Sequence, residues 1–117
     1  MTRAARILFS LVMAVVGFGA AVADQSAVVL LYHRFGEDSY PTTNIRMEQL
    51  DAQIKLLKEG GYHFMTLGDI AAKLKAKEQL PEKTVTIAVD DAYKSVVTHG
   101  WPKLKAAGIP MTLFVST

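Results

Sequence analysis

The sequence contains no cysteine among its 117 residues. This absence excludes cysteine zinc sites, thiol nucleophiles and a disulfide framework, so the folded chain depends on a hydrophobic core. A strong charge of either sign is also lacking, since the formal net charge is only +2. Nothing in the sequence builds the concentrated positive surface that nucleic-acid phosphates require, and we therefore expect no nucleic-acid partner.

The first 23 residues have the composition of a secretory signal. Arg3 and Arg6 precede an apolar, uncharged stretch, residues 7–20, and residues 21–23 (AVA) supply the small-x-small pattern at which signal peptidase cleaves. The apolar stretch is short for a membrane span and lacks a basic stop-transfer flank. We predict a cleaved signal peptide over residues 1–23, export to the periplasm or the extracellular space, and no stable membrane anchor after cleavage.

The remaining residues, 24–117, alternate strand and helix patterns, which is typical of an α/β fold with a parallel sheet. They are too few for a complete α/β barrel, which takes about 200 residues or more. The length therefore leaves room for residues 24–117 to be only part of a larger domain. The patterns predict strands over 27–32, 62–65, 84–89 and 111–116, a surface loop over 34–44, and helices over 45–59 (capped by Thr43 or Asn44), from Thr66 onward, and over 93–107 with a kink at residues 100–102.

Two adjacent acids, Asp90 and Asp91, directly follow the β-branched strand 84–89. In α/β folds, ligands bind beyond the carboxyl ends of the strands. Adjacent carboxylates repel each other, so burying both requires a cation or a shared proton. A divalent metal bound by one of them would leave the other to act as a base. The pair alone is a weak signal, and the alternative is that Asp91 caps the following helix while Asp90 is solvated.

Two further residues are candidates for the same site. His33 follows the apolar strand 27–32, and it would lie at the same sheet edge as Asp90 if the two strands are parallel. It would then line the substrate site or contact the metal's ligands; the alternative is a histidine that tethers the loop by a backbone hydrogen bond. Tyr93 follows the acid pair closely, and aromatic rings stack on sugars, so it is a weaker candidate for substrate binding.

Three segments of the chain resemble one enzyme family. The segment VTIAVDDAYKSV, followed by WPKLKAAGIPMTLFVS, resembles the first motif region of the polysaccharide deacetylases, the NodB-homology or carbohydrate esterase family four. In that family an apolar strand ends in an Asp-Asp-Gly-Tyr type motif. The segment VVLLYHRFG resembles the Tyr-His stretch that opens many secreted members. The resemblance covers about Val28 to Thr117 and implies the start of a distorted (β/α) barrel of NodB-homology type, incomplete in this chain.

The resemblance implies a metal-dependent hydrolase that removes N-acetyl groups from amino-sugar polymers, with an N-acetylated polysaccharide as substrate. It makes Asp90 the catalytic base and Asp91 a metal ligand, and it makes residues 24–117 the N-terminal part of a deacetylase-like catalytic domain. Zinc suits a mixed His/Asp ligand set, while cobalt, nickel and manganese stay open. The family's His-x-x-x-His ligand motif does not occur in this sequence, and Ala92 stands where the family usually has glycine.

Two other functions compete with this hypothesis. A phosphoacceptor receiver domain also ends its first strand in an acid pair, but here a long segment precedes the pair and no later strand offers a phosphorylatable aspartate. A truncated, non-catalytic glycan-binding remnant of the deacetylase fold is the better description if the polypeptide ends at Thr117. We expect instead that the chain is cut from a longer protein, whose reading frame would carry the His-x-x-x-His motif.

Overall fold

A computed structural model describes residues 25–117, so the predicted signal peptide, residues 1–23, lies outside the described residues. Within this range no helix combines the length and the apolar character needed to cross a membrane. The strands are β1 (Ala27–Tyr32), β2 (Arg34–Phe35), β3 (Asn44–Ile45), β4 (His63–Phe64), β5 (Thr84–Asp90) and β6 (Met111–Phe114). The helices are α1 (Met47–Glu59), α2 (Leu67–Lys75), a π-helical turn (Val96–Gly100) and α3 (Trp101–Ala106).

A four-stranded parallel sheet has β5 at its centre. Strand β1 pairs with β5 along its whole length, whereas on the other side β4 pairs with the beginning of β5 and β6 with its end. The register sets Tyr32 beside Val89 and Phe114 beside Asp90. The carboxyl ends of β1, β5 and β6 therefore lie along one edge of the sheet. This carboxyl edge carries the acid pair.

The hydrophobic core packs one face of the sheet against the helices. The sequence TVTIAVD gives β5 the β-branched residues that suit a central strand, and its first six residues are all buried. Helix α1 contributes Leu50 and α3 contributes Leu104, each with 1 % of its surface exposed. The buried members of the core are Tyr32, Phe35, Ile45, Leu50, Ile87, Val89, Val96, Leu104 and Ile109.

The segment predicted as a surface loop, residues 34–44, is partly ordered as sheet. Strands β2 and β3 pair in parallel, with Arg34 beside Asn44 and Phe35 beside Ile45. Phe35 is fully buried in the core, which a surface loop would not allow. The loop prediction is therefore wrong at both ends of the segment. The paired residues could not be recognised as strands, because their sequence does not alternate apolar and polar side chains.

The predicted start of the first helix is also wrong. Helix α1 begins at Met47 after Arg46, since Ile45 belongs to β3 and is buried in the core. The side chain of Asn44 does not cap the helix; its Oδ1 accepts a hydrogen bond from the backbone N–H of Glu37. The second helix agrees better, because the N-cap Thr66 accepts a hydrogen bond from the N–H of Asp69, as the sequence predicts.

The continuous apolar run of β1 is the pattern typical of a strand buried on both faces, but the structure leaves much of β1 exposed. Val28, Val29 and Leu31 are 51 %, 50 % and 54 % exposed. The reason is topological: within residues 25–117, β5 is the only strand that pairs with β1. Strand β1 is therefore the outermost strand on its side of the described sheet.

The predicted kink in the last helix is confirmed as a π-helical turn, Val96–Gly100, that leads into α3. Pro102 has no N–H to donate to the carbonyl of Thr98, and losing that bond favours a wider turn. The final strand is shorter than predicted. It ends at Phe114, and Ser116 lies beyond it at the edge that carries the acid pair.

Candidate active site

The acid pair lies where β5 gives way to a tight turn. Asp90 is the last residue of β5, and 35 % of its side chain is exposed. Asp91 and Ala92 form the turn in the left-handed region, with φ of 69° and 49°. Residues other than glycine rarely adopt this conformation, and each costs about 1 kcal/mol or more. The turn that carries the acids is therefore strained and lowers the stability of the fold.

His33 lies beside Asp90, as the sequence predicts for two parallel strands. The imidazole Nε2 is 3.8 Å from Asp90 Oδ2, and both side chains are about one-third exposed. The distance suits an ion pair when the imidazole is protonated and is too long for a direct hydrogen bond. The described chain thus gathers a carboxylate and an imidazole at one solvent-accessible point of the sheet edge.

The second acid is held from the neighbouring strand. Ser116, two residues after β6, donates a hydrogen bond from Oγ to Asp91 Oδ1 at 2.8 Å. Asp91 does not cap the helical segment that follows, because the N-cap of the π-helical turn is Ser95. Sequence reasoning missed Ser116, since only the register of β6 against β5 brings it to the acid pair.

Tyr93 takes part in an aromatic stack. The guanidinium carbon of Arg34 lies 3.5 Å from the centroid of the Tyr93 ring and 3.9 Å from that of the Tyr40 ring. Arg34 also contacts the Glu37 carboxylate at 3.3 Å. The prediction that Tyr93 binds sugar stays a prediction, but one face of its ring is already covered by Arg34.

Glu37 and Ser95 extend these contacts into the core. Ser95 Oγ donates to Glu37 Oε2 at 2.7 Å and accepts from the N–H of Phe35 at 3.1 Å. The hydrogen bond from Ser95 holds the pKa of the Glu37 carboxyl below its usual value of 4.5, with Arg34 acting in the same direction. Sequence reasoning missed this network, because its members are separated by up to 60 positions along the chain.

A surface cavity of about 370 Å³ adjoins His33. Its walls come from the end of β1 and from the residues leading into β3, and they combine backbone, hydroxyl and amide groups with apolar surface. The cavity is open to solvent, and His33 forms part of its wall. The lining residues are Leu31, Tyr32, His33, Thr42, Thr43, Asn44 and Ile45.

The described residues meet only part of the requirement for a metal site. Carboxylates from Asp90 and Asp91 and the imidazole of His33 are donor types that zinc binds. Catalytic zinc takes three protein ligands, and no group of three His, Asp or Glu side chains within residues 25–117 is arranged to hold a metal ion. A complete site would need further ligands from outside the described residues.

Comparisons with known proteins identify deacetylases. The structure of IcaB from Ammonifex degensii has a TM-score of 0.70 and 33 % identity, covering 78 % of this chain and 38 % of that one. A de-N-acetylase from Aggregatibacter actinomycetemcomitans has a TM-score of 0.66 and 29 % identity, covering 74 % and 36 %. The poly-β-1,6-N-acetyl-D-glucosamine N-deacetylase of Staphylococcus aureus is 28 % identical over 108 residues, covering 80 % of this chain and 37 % of the relative. No protein-family model matches the chain.

These similarities confirm the predicted fold class. The parallel α/β arrangement of the described residues matches solved deacetylase structures over somewhat more than a third of their length. The chain likewise spans 37 % of the length of the Staphylococcus relative. The architecture is thus the beginning of the distorted barrel that the sequence resemblance implies.

Proposed function

We propose that this chain, a relative of the polysaccharide deacetylases that corresponds to their N-terminal portion, contributes the acidic half of a de-N-acetylase active site. The observation that supports this most is the meeting of Asp90 and His33 at 3.8 Å, with Asp91 next in sequence, at the carboxyl edge of the sheet. Ligands bind at that edge in α/β folds. Relatives that carry the same fold are named as deacetylases.

The proposed reaction is hydrolysis of an N-acetyl amide on an amino sugar. Asp90 acts as the general base: its carboxylate takes a proton from the water that attacks the amide carbonyl carbon. The carbon–nitrogen bond then breaks, the amine nitrogen takes up a proton, and acetate leaves. Asp90 suits this role because its side chain is partly exposed and lies at the carboxyl end of β5 beside the His33 imidazole.

Asp91 is proposed to bind a divalent metal ion. A carboxylate ligand must keep a fixed orientation, and the hydrogen bond from Ser116 fixes one of its oxygens while leaving the other available. When bound, such an ion polarises the amide carbonyl and lowers the pKa of water. Zinc is the proposed ion, and cobalt, nickel or manganese would fit the same oxygen and nitrogen donors.

The proposed substrate is an N-acetylated amino-sugar polymer. The Staphylococcus relative is named for poly-β-1,6-N-acetyl-D-glucosamine, which belongs to this class. The open cavity beside His33 is lined by the hydroxyl-bearing residues Thr42 and Thr43, which suit the hydroxyl groups of a sugar. Such polymers lie outside the cytoplasm, and export by the predicted signal to the periplasm or the extracellular space belongs to the same proposal.

A second candidate function is a non-catalytic, glycan-binding remnant of this fold. The observation that favours it is the lack, within residues 25–117, of three side chains arranged to hold a metal. The two functions differ in a simple assay on the full-length protein: a deacetylase releases acetate from an N-acetylglucosamine polymer, and a remnant binds the polymer without releasing acetate.

The assay is controlled by removing metal and by a matched charge variant. A strong chelator is expected to abolish acetate release, and added zinc to restore it. Glu82→Gln removes the carboxylate of an exposed residue that precedes β5, at the opposite end of the strand from the acid pair. This change is expected to leave the rate unchanged. Binding of the polymer without acetate release, with or without zinc, would establish the remnant instead.

A further inference from the structure

The turn after β5 needs support from its surroundings. Asp91 and Ala92 both adopt positive φ values although neither is glycine. A strained backbone persists only where neighbouring contacts leave it no better alternative. On the strand side the turn is continuous with β5, which is fixed in the sheet. Ser116 holds the side chain of Asp91, and the backbone on the exit side of the turn is held through the residues that follow Ala92.

The first such contact is made by Arg34. Only 16 % of its side chain is exposed, and its guanidinium lies between the rings of Tyr40 and Tyr93. Stacking of a planar guanidinium on an aromatic ring gains more when the pair is shielded from water. Because Tyr93 directly follows the turn, this stack fixes the path along which the chain leaves the turn.

The second contact is made by Glu37. Its carboxylate accepts a hydrogen bond from Ser95, which in turn accepts one from the backbone of the fully buried Phe35. Arg34 pairs with the same carboxylate at 3.3 Å. Tyr93 and Ser95, the first and third residues after the turn, are thereby tied to one ion pair, and that ion pair belongs to the segment just after His33.

We propose that Arg34 and Glu37 are positioning residues that hold the Asp90–Asp91 turn in its strained conformation through Tyr93 and Ser95. Neither residue touches the reacting groups. The consequence for catalysis rests on the proposed function, because it assumes that Asp90 and Asp91 act there. The structural part, control of the turn, does not depend on which reaction the site performs.

Native-state amide exchange of the full-length protein tests the structural part. Two amides report on the network: Phe35 N–H donates to Ser95, and Val96 N–H donates to the carbonyl of Tyr93. In Arg34→Gln both are expected to exchange about tenfold faster or more. The amide of Ile109, which donates to Leu104 in the core, is expected to keep its rate.

Two variants separate stacking from charge. Arg34→Lys keeps the charge beside Glu37 but has no planar group to stack, so it is expected to resemble Arg34→Gln. Lys94→Gln removes a positive charge from an exposed residue of the same segment and is expected to leave all three amides unchanged. Unchanged exchange at Phe35 and Val96 in both Arg34 variants would overturn the inference, and so would equal acceleration at Ile109.

Kinetics test the consequence for catalysis. In Arg34→Gln we expect kcat to fall about tenfold or more, with KM within about twofold of the wild type, because misplacing catalytic groups affects the reaction step. Combining Arg34→Gln with Tyr93→Leu should cost little beyond the larger single effect, because both remove one stack. Fully additive losses would contradict the coupling. If the wild type releases no acetate the proposed function fails, while the exchange result still decides whether Arg34 holds the turn.

Discussion

His33 Nε2 and Asp90 Oδ2 face each other at 3.8 Å across the parallel pair β1–β5. The register of this pair causes the approach, since Tyr32 lies beside Val89 and the next residue of each strand then shares the same edge. A carboxylate and an imidazole at this separation attract each other whenever the imidazole carries a proton. His33 is therefore expected to influence any reaction in which Asp90 takes a proton.

His33→Gln tests this relationship. The amide keeps the approximate size of the imidazole but cannot carry a positive charge, so we expect kcat for acetate release to fall about tenfold, which is less than the roughly 10²–10⁴-fold contributed by a group that itself transfers the proton. His63→Gln is the matched control, because His63 is exposed on β4, away from this edge. Equal rates for wild type and His33→Gln would remove His33 from the site.

Ala92→Gly is expected to stabilise the protein. With φ of 49°, the Cβ atom of Ala92 is in steric conflict with the backbone, and glycine has no such atom. Relieving this conflict should raise the free energy of unfolding, measured in urea, by about 1 kcal/mol. Ala76→Gly provides the contrast. Ala76 has φ of −77°, where alanine is unstrained, so the same change should lose stability. A loss in both variants would show that the turn is not strained at Ala92.

Gly100→Ala is expected to be strongly destabilising. A Cβ atom at this position would lie 2.7 Å from the ring of Phe35, which is fully buried and cannot move away freely. Overpacking of this kind costs about 1–3 kcal/mol. Gly68→Ala is the control, because the nearest atom would be 3.9 Å away and alanine favours the helix. Thermal unfolding of both variants measures the difference, and equal melting temperatures would contradict the packing.

Glu37 predicts a specific pH dependence of stability. Its pKa is lowered in the folded state, first by the hydrogen bond from Ser95 and then by Arg34. A lowered folded-state pKa gives stability that is fully present above the unfolded value, 4.5, and is lost as the pH falls through the folded value. Glu37→Gln should therefore show a smaller loss of unfolding free energy between neutral and acid pH than the wild type. Parallel pH profiles would contradict this contribution.

Much of the fold follows from local patterns. The β-branched run before Asp90 predicts β5, the apolar run before His33 predicts β1, and Thr66 with Asp69 predicts the start of α2. These features are local because burial and capping act over a few residues. The meeting of His33 and Asp90 needed one added assumption, parallel pairing, which the structure confirms.

The parts that could not be predicted depend on distant contacts. The pairing of β2 with β3 joins residues 34–35 to 44–45 without any periodic pattern, and the sequence there favours a loop. Ser116 reaches Asp91 only because of the register of β6. The stack of Arg34 between Tyr40 and Tyr93 likewise requires knowledge of the tertiary structure, since no spacing rule links these positions.

The different roles proposed for the two acids are tested most directly by isosteric variants of the full-length protein, measured for both zinc affinity and acetate release from an N-acetylglucosamine polymer. Asp90→Asn should abolish turnover while zinc affinity stays within about twofold of wild type, because only the base is lost. Asp91→Asn should weaken zinc binding by about tenfold or more, because a ligand is lost. Full turnover in Asp90→Asn, or unchanged zinc affinity in Asp91→Asn, would contradict the assignment.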